Sequence, residues 1–462
     1  MAVSSTSAVE RELRALLGDD SVLPGTSRAY LSDATESQSL RGRADAVALP
    51  RNAGAVREVV AWCYEHDVAI VPRGGGSGLA GGAVPMHGGV VVSLERLGGA
   101  PRLEPERWRA HVPAGLSTAQ LHRIARENGL LFAPDPGASE QSQLGGNIAT
   151  NAGGPHTFKY GVTGTWITGL EVVLAPGEAV AVGGPLRKDV AGYDLKSLIV
   201  GSEGTLGIVT AAWVKLLPAP ELQLPVAAFF PDSATGCAAL ETVMGSGLVP
   251  AALEYLDEVA VAQAVGAFPG AAPDGPAFLL IAEADGAADE ARRLRAQLLE
   301  ALAPGAVCTY APEDRAAIRE LWRWRSGVST AVVAARGGKV SEDIVVPVER
   351  LAEAIAATRE IGARHRLEAC SWGHAGDGNL HCTMMVDRAD PAQLQRAEAA
   401  AQDLFALAIG LGGSVSGEHG LGLVKRGALA RQWPPRALEL HEEIKRVFDP
   451  KGLFNPGKKV AR

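Results

Sequence analysis

The sequence predicts an α+β protein, with a long glycine-rich α/β part followed by a second domain built on a mixed sheet. Three observations predict it. The chain has 462 residues, enough for two or three domains with sizeable cores. Its 55 glycines are clustered between strand-like and helix-like runs rather than spread at a fixed period. At Pro218-Ala219-Pro220 the texture changes, and apolar runs then alternate with Ala/Arg/Glu-rich stretches.

The bulk numbers exclude several classes. A net charge of −8 lacks the basic footprint of a nucleic-acid binder. The five cysteines, Cys63, Cys237, Cys308, Cys370 and Cys382, form no C-x-x-C pair. Neither a disulfide framework nor an iron–sulfur cluster is expected, and Cys370 and Cys382 read as core residues. The first residues lack an apolar signal core, and no apolar run reaches the ~18 residues that suggest a membrane span. A reducing cytoplasm is therefore the expected compartment.

The elements follow in order. Val9 to Leu17 reads as a helix with Ser7 as N-cap. A helix near Ala55–Glu65 precedes a short strand at Val68–Pro72. After a glycine-rich loop, Gly89–Leu94 reads as a strand and Ser117–Asn128 as a helix. Pro134 to Gly169 is long and rich in Gly, Asn, Thr and Ser, and is expected to be ordered only around something. Leu170–Leu174 and Gly207–Leu217 read as strands closing this part. Beyond the proline pair, strands at Val226–Phe230, Ala277–Ala284 and Ile344–Val346 alternate with helices at Glu290–Leu302, Val348–His365 and Pro391–Leu407. That pattern suits a mixed sheet with helices on one side. The tail from Phe448 to Lys458 holds too many breakers for a helix.

Gly76-x-Gly78-x-x-Gly81 matches the dinucleotide fingerprint, with Glu95 near the distance of the ribose acid. The fingerprint requires a helix after its last glycine, and Gly82-Ala83-Val84-Pro85 cannot propagate one. The loop lies between two strands instead, where successive small residues can turn N–H groups inward as an anion nest. Two further clusters join it: Leu144 to Gly154 after Asp135-Pro136-Gly137, and Gly201 to Thr210. Three such loops suit a large, extended cofactor carrying phosphates.

The motifs RGGGSGLAGG, GGNIATNAGG and GSEGTLGIVT resemble the FAD-binding domain of the vanillyl-alcohol-oxidase-type flavoproteins. The resemblance runs through FNPGK at the end of the chain and is greatest to the branch of D-lactate, glycolate and D-2-hydroxyglutarate dehydrogenases. It implies a two-subdomain α/β FAD-binding domain over 1–219, a cap domain over 220–415 carrying the substrate and metal site, and a segment over 416–462 returning to the flavin. The implied cofactor contacts are Pro72, Arg73, Gly74, Gly75, Gly76, Ser77, Gly78 and Leu79 in the first loop. The second supplies Pro136, Gly137, Gly145, Gly146, Asn147, Thr150, Asn151, Gly153 and Gly154. The third supplies Glu203, Gly204, Gly207 and Ile208, and the tail Asn455. Some relatives attach flavin to a histidine of the first loop; this loop has none, so non-covalent FAD is expected.

Gly373-His374-Ala375-Gly376-Asp377-Gly378-Asn379-Leu380-His381 carries the sharpest chemistry. Asp-Gly between apolar runs signals a two-residue hairpin turn, which would set His374 opposite His381 with Cβ atoms ~5 Å apart. Two imidazoles on one face suit a metal ion, and Ser416-Gly417-Glu418-His419-Gly420 offers a carboxylate as third ligand. The resemblance agrees: it implies His374, His381 and Glu418 as ligands of a divalent ion, zinc or manganese, with His419 as general base and Asn379 as a substrate contact.

A 2-hydroxy acid needs a cation for its carboxylate. In Leu321-Trp322-Arg323-Trp324-Arg325-Ser326-Gly327-Val328-Ser329 the resemblance implies Arg325 for that role, with Ser329 a turn later on the same helix face. Hydroxyglutarate-type relatives place a lysine where this chain has Ser341, two residues before Asp343; Lys339 lies two residues earlier still. A monocarboxylic substrate is therefore favoured, D-lactate-like, with D-2-hydroxyglutarate and glycolate as the alternatives. With no cluster motif in the chain, electrons are expected to leave to a separate acceptor: a quinone, a cytochrome, an electron-transfer flavoprotein, an iron–sulfur subunit or oxygen. Such a partner would allow peripheral association with a membrane, and a homodimer is compatible with the sequence. The rival readings are an ether-lipid synthase of the same superfamily, like the alkyl-dihydroxyacetonephosphate synthases, and a metal-stabilised binding protein without catalysis.

Overall fold

The computed structural model describes residues 7–36 and 40–459, which form two compact units. The first unit comprises the described residues up to Gly153, Val162–Pro218, and those from Glu418 onward. The second comprises Gly154–Gly161 and Ala219–Gly417. The sequence reading assigned Gly154–Gly161 to the first domain; its bounding Gly153-Gly154-Pro155 and Gly161 look like more of the glycine-rich loop around them, so spacing alone does not reveal the excursion.

The first unit contains two larger sheets and a short two-stranded one, Leu130–Leu131 paired with Leu217–Pro218. Val22–Pro24, Ala46–Ala48, Val90–Ser93 and Ile70–Arg73 lie side by side in that order, the last three mutually parallel. Val47, Leu49, Val71 and Val91 pack together as its core. The helix Ala53–Glu65, capped by Asn52, buries Val56, Val59, Val60 and Cys63. At the far edge Ile70 pairs with Phe454: the Ile70 amide donates to the Leu453 carbonyl and the Asn455 amide to Ile70. The breaker-rich tail is thus anchored as an extended segment beside the strand that feeds the first glycine loop. The second sheet has five antiparallel strands in the order Arg102–Glu104, Arg109–Pro113, Ile208–Lys215, Ile167–Leu174 and Glu178–Gly183. The segment expected to be loop around a ligand contains the helices Leu144–Thr150 and Thr157–Tyr160. Glycine lowers helix propensity by only ~1 kcal/mol, and packing overrides it.

The second unit is built on a seven-stranded sheet. Its order is Cys308–Tyr310, Leu222–Phe230, Phe278–Gly286, Ala252–Leu256, Glu368–His374, Asn379–Val386 and Gly338–Val345. Every pairing is antiparallel, where the alternation of strands and helices suggested a mixed sheet. Helices cover both faces rather than one. On one, Ala227, Phe229, Leu256, Leu279, Ile281, Cys370, Trp372 and Met385 pack against the helices Glu258–Ala264 and Arg315–Arg336. On the other, Cys382 accepts a hydrogen bond from Thr358 of the helix Leu351–Arg364, and a Cβ on Gly236 of the helix Ser233–Gly245 would strike Phe278. Both faces are apolar because both are covered, which explains the uninterrupted apolar runs. Among the described residues no helix is long and apolar enough to cross a membrane.

Candidate metal centre and cofactor loops

The first glycine loop leaves the carboxyl end of Ile70–Arg73, the position where open α/β sheets present ligands. A Cβ on Gly74 would stand 3.2 Å from the Gly146 Cα, and one on Gly75 1.9 Å from the Gln141 carbonyl oxygen. The first and second loops therefore pack backbone against backbone, which only glycine permits. Among the described residues, the backbone N–H groups of Gly74 to Leu79 donate to no protein acceptor. Half-buried N–H groups without a protein partner fit a phosphate-bearing cofactor.

The polar side chains expected at the cofactor largely brace these loops. Arg73 is buried and donates to the carbonyls of Ser32 and Ala29 at 2.8 and 2.9 Å. Glu203 accepts from the amides of Leu421 and Gly422 at 2.9 and 2.7 Å. Asn455 donates to the carbonyls of Gly82 and Glu203 and accepts from Lys458. Asn147 donates to Thr118, Thr150 to the Gly146 carbonyl, and Asn151 accepts from the Gly164 amide. Glycine loops cost backbone entropy, and this side-chain scaffolding holds them. The buried ammonium of Lys458 was not anticipated; burial lowers it to about 7, against the nearby Asp33 and Glu203 carboxylates.

In the second unit one sheet face changes character along its strands. Beyond the apolar cluster, period-two alternation brings Asp285, Glu283, Glu254, His374, Asn379, His381 and Asp343 to the same side. His374 lies opposite Asn379, and His381 opposite Trp372, so the turn spans Ala375 to Gly378 rather than Asp377-Gly378 alone. The register differs by two residues from the expected hairpin. Because side chains alternate with period two, both imidazoles still share a face, now as diagonal neighbours with ring centroids 5.4 Å apart.

His374 and Glu254 are direct cross-strand partners. The imidazole Nδ1 meets Glu254 Oε1 at 2.5 Å, the carboxylate contact common behind a metal-ligating histidine. Burial pushes the Glu254 carboxyl up, but His374 and Arg325 together outweigh burial and hold it below the usual carboxylate range. On the neighbouring strand, the buried Asp343 accepts from Asn379 Nδ2 at 2.6 Å, from Ser416 Oγ at 2.9 Å and from the Gly417 amide. It thereby fixes the turn one residue before Glu418. His374, His381 and Glu418 each offer a ligand atom within 4.8 Å of the others. Ligands around a tetrahedral zinc ion sit about 3.4 Å apart, so small side-chain adjustments suffice. The donor set and the carboxylate behind His374 fit a divalent ion. His419 follows directly, its Nε2 3.9 Å from Glu418 Oε1.

Arg325 is buried on the helix Arg315–Arg336, and its Nη2 donates to Glu254 Oε2 at 2.5 Å. Its Nε is buried and has no hydrogen-bond partner among the described residues. Ser329 is half-buried one turn on. Asn379 donates both amide hydrogens, to Asp343 and to the Ile344 carbonyl, so it presents an acceptor oxygen rather than a donor. Lys339 is buried with its ammonium 5.4 Å from the Trp372 ring centroid, and Ser341 shares a hydrogen bond with Thr383.

Glu254 and Glu283 escaped the sequence reading, and Asp343 entered it only as a reference position, with no role in the site. Their signal is a carboxylate amid apolar residues, as in Ala251-Ala252-Leu253-Glu254-Tyr255-Leu256, since buried charges are rarely unpaired. Glu283 accepts from His156, Gln223 and Trp322, and Asp285 binds Lys159 and Tyr160. The Gly154–Gly161 excursion is thereby pinned to the polar part of the sheet.

Comparison with known proteins adds the family context. The family described as "FAD linked oxidases, C-terminal domain" matches residues 219–459, and "FAD binding domain" matches 44–183. The "Glycolate oxidase subunit GlcD" of Bacillus subtilis is 36% identical over 94% of this chain and 92% of its own. The "D-lactate dehydrogenase" of Archaeoglobus fulgidus is 34% identical over 90% and 91%. Among solved structures, p-cresol methylhydroxylase superposes with a TM-score of 0.80 at 19% identity, covering 97% of this chain and 96% of that one. An alkyldihydroxyacetonephosphate synthase gives 0.74 at 19% identity, over 97% and 84%. At that identity both likenesses show the fold alone.

Proposed function

The chain belongs to the family of FAD-linked oxidases and is an FAD-linked oxidoreductase, and we propose that it oxidises a small D-2-hydroxy acid, D-lactate-like, to the 2-keto acid. The observation that carries this reading is the juxtaposition of two groups of residues. His374, His381 and Glu418 gather three ligand atoms, and Arg325 is joined to His374 through Glu254. One gathers a cation, the other holds a buried guanidinium, as a hydroxyl beside a carboxylate requires.

The residues divide the work as follows. Arg325, whose Nε has no partner among the described residues, would bind the substrate carboxylate through its guanidinium, and Ser329 would add a hydroxyl one turn along. His374, His381 and Glu418 would hold a zinc or manganese ion, which when bound supplies a Lewis acid for the 2-hydroxyl. Asn379 accepts a hydrogen bond through its side-chain oxygen, and His419 takes the hydroxyl proton. The loops at Gly74–Leu79, Gly145–Gly146 and Gly204–Gly207 would hold FAD, which when bound supplies the two-electron acceptor for the hydrogen on C2. A separate acceptor then reoxidises the protein, in keeping with the word "subunit" in the name of the glycolate oxidase relatives.

D-lactate, glycolate and D-2-hydroxyglutarate are the substrates to compare. Anaerobic addition of each to metal-replete protein should bleach the flavin band, with D-lactate effective at the lowest concentration. Preference for D-2-hydroxyglutarate would mean that Lys339 serves a second carboxylate despite its shifted position. Turnover of an acyl-dihydroxyacetone phosphate with no bleaching by any hydroxy acid would move the reaction to the ether-lipid synthase type.

A further inference from the structure

We propose that Glu254 is a positioning residue that fixes the metal-ligating imidazole of His374 and the anion-binding guanidinium of Arg325 with one carboxylate, so that the two halves of the substrate site are set as a unit. The inference rests on the proposed roles of His374 and Arg325. Each oxygen of Glu254 serves a different partner: Oε1 meets His374 Nδ1 at 2.5 Å, and Oε2 accepts from Arg325 Nη2 at 2.5 Å. Glu254 is fully buried, with 0% exposure, so water does not compete for either oxygen. Its strand, Ala252–Leu256, stands directly beside the strand of His374, and the two residues are register partners. The side chain is therefore short of slack. A shift of the guanidinium is felt at the imidazole, and the reverse.

The arrangement does more than stabilise the fold. Occupying Nδ1 fixes the imidazole tautomer and aims Nε2 at the ligand set. Occupying Nη2 leaves the buried Nε of Arg325 among its donors with no protein partner among the described residues. A buried ion pair contributing stability alone has no need to engage a ligand histidine with its second oxygen. The neighbouring carboxylate shows the contrast: among the described residues Glu283 accepts from His156, Gln223 and Trp322, none of them among the proposed ligands.

The test uses the full chain with FAD, stripped of divalent ions and titrated with zinc against a chromophoric chelator. Glu254→Gln keeps the shape and removes the charge. It should weaken zinc binding 10- to 100-fold, the range known for carboxylates behind a ligand histidine. It should also raise KM for the hydroxy acid at unchanged FAD content. Because Glu254→Gln orphans a buried guanidinium, the double variant Glu254→Gln/Arg325→Met removes both charges and guards against unfolding. It should show the same loss of zinc affinity, while Arg325→Met alone should raise KM and shift zinc binding less. Zinc affinity within twofold of the parent in both Glu254 variants, with a native melting temperature, would overturn the proposal. If the parent protein bound zinc but no hydroxy acid bleached its flavin, the functional reading would fail, and the zinc measurement would still decide the role of Glu254.

Discussion

At the scale of single residues, the proposed site divides into groups that would touch substrate and groups that would aim them. His419 belongs to the first. Replacing it by alanine should lower turnover at least 100-fold, the usual worth of a general base, while the ratio of flavin to protein absorbance stays that of the parent. Loss of flavin together with activity would instead make His419 part of the cofactor scaffold. The proposed members of the first group rest on residue type and spacing: two histidines flanking Asp-Gly, a Glu-His pair between glycines, an arginine on a helix. The second group was not legible in that way. Glu254 and Asp343 act through contacts made across strands, 120 and 36 positions away from His374 and Asn379 in sequence. Asn379 shows the same limit. Its type suggested a substrate contact, but only the structure shows that Asp343 and Ile344 consume both its hydrogens and leave an acceptor.

At the scale of elements, the hairpin shows why an incorrect turn still led to a usable site. The 3-10 turn Ala375–Asp377 moved the register by two residues, and a shift of two restores every side chain to its face. A shift of one would have separated His374 from His381. The turn before Glu418 is less forgiving. A Cβ on Gly417 would lie 2.5 Å from Asn379 Nδ2 and 2.7 Å from Val345 Cγ2. Gly417→Ala should displace that turn and weaken zinc binding at least tenfold, measured by chelator competition, without altering FAD content. The helix Glu258–Ala264 offers a test by pH. Its N-cap Asp257 is fully buried, and burial raises its carboxyl from 3.8 to about 7. The folded state therefore binds the proton more tightly than the unfolded one. Its contribution to stability is present below about pH 4 and is lost as pH rises through about 7. Asp257→Asn keeps a capping side chain, and its urea midpoint should fall less than the parent's between pH 5 and pH 8. Equal slopes would show that Asp257 titrates normally.

At the scale of the whole molecule, the three glycine motifs and the change of texture at the Pro218-Ala219-Pro220 boundary were readable because they are local. The Gly154–Gly161 excursion was not. Its membership of the second unit rests on His156, Lys159 and Tyr160 reaching Glu283 and Asp285, more than 120 residues downstream. The same distance hid the helices on both faces of the large sheet, since burial from two sides leaves no alternation to read. Flavin and metal are proposed as separately held groups with one purpose. Chelation should therefore abolish turnover while the protein keeps its FAD, and zinc or manganese should restore activity. Chelation without effect on activity would leave the His374, His381 and Glu418 cluster without a metal function. The most direct single test is anaerobic titration of the metal-replete, flavin-loaded protein with D-lactate, L-lactate, glycolate and D-2-hydroxyglutarate, followed at the visible flavin band. The account predicts bleaching by D-lactate, none by its L-form, and recovery of the band when an electron acceptor is added. A yellow protein that none of these acids bleaches would contradict it.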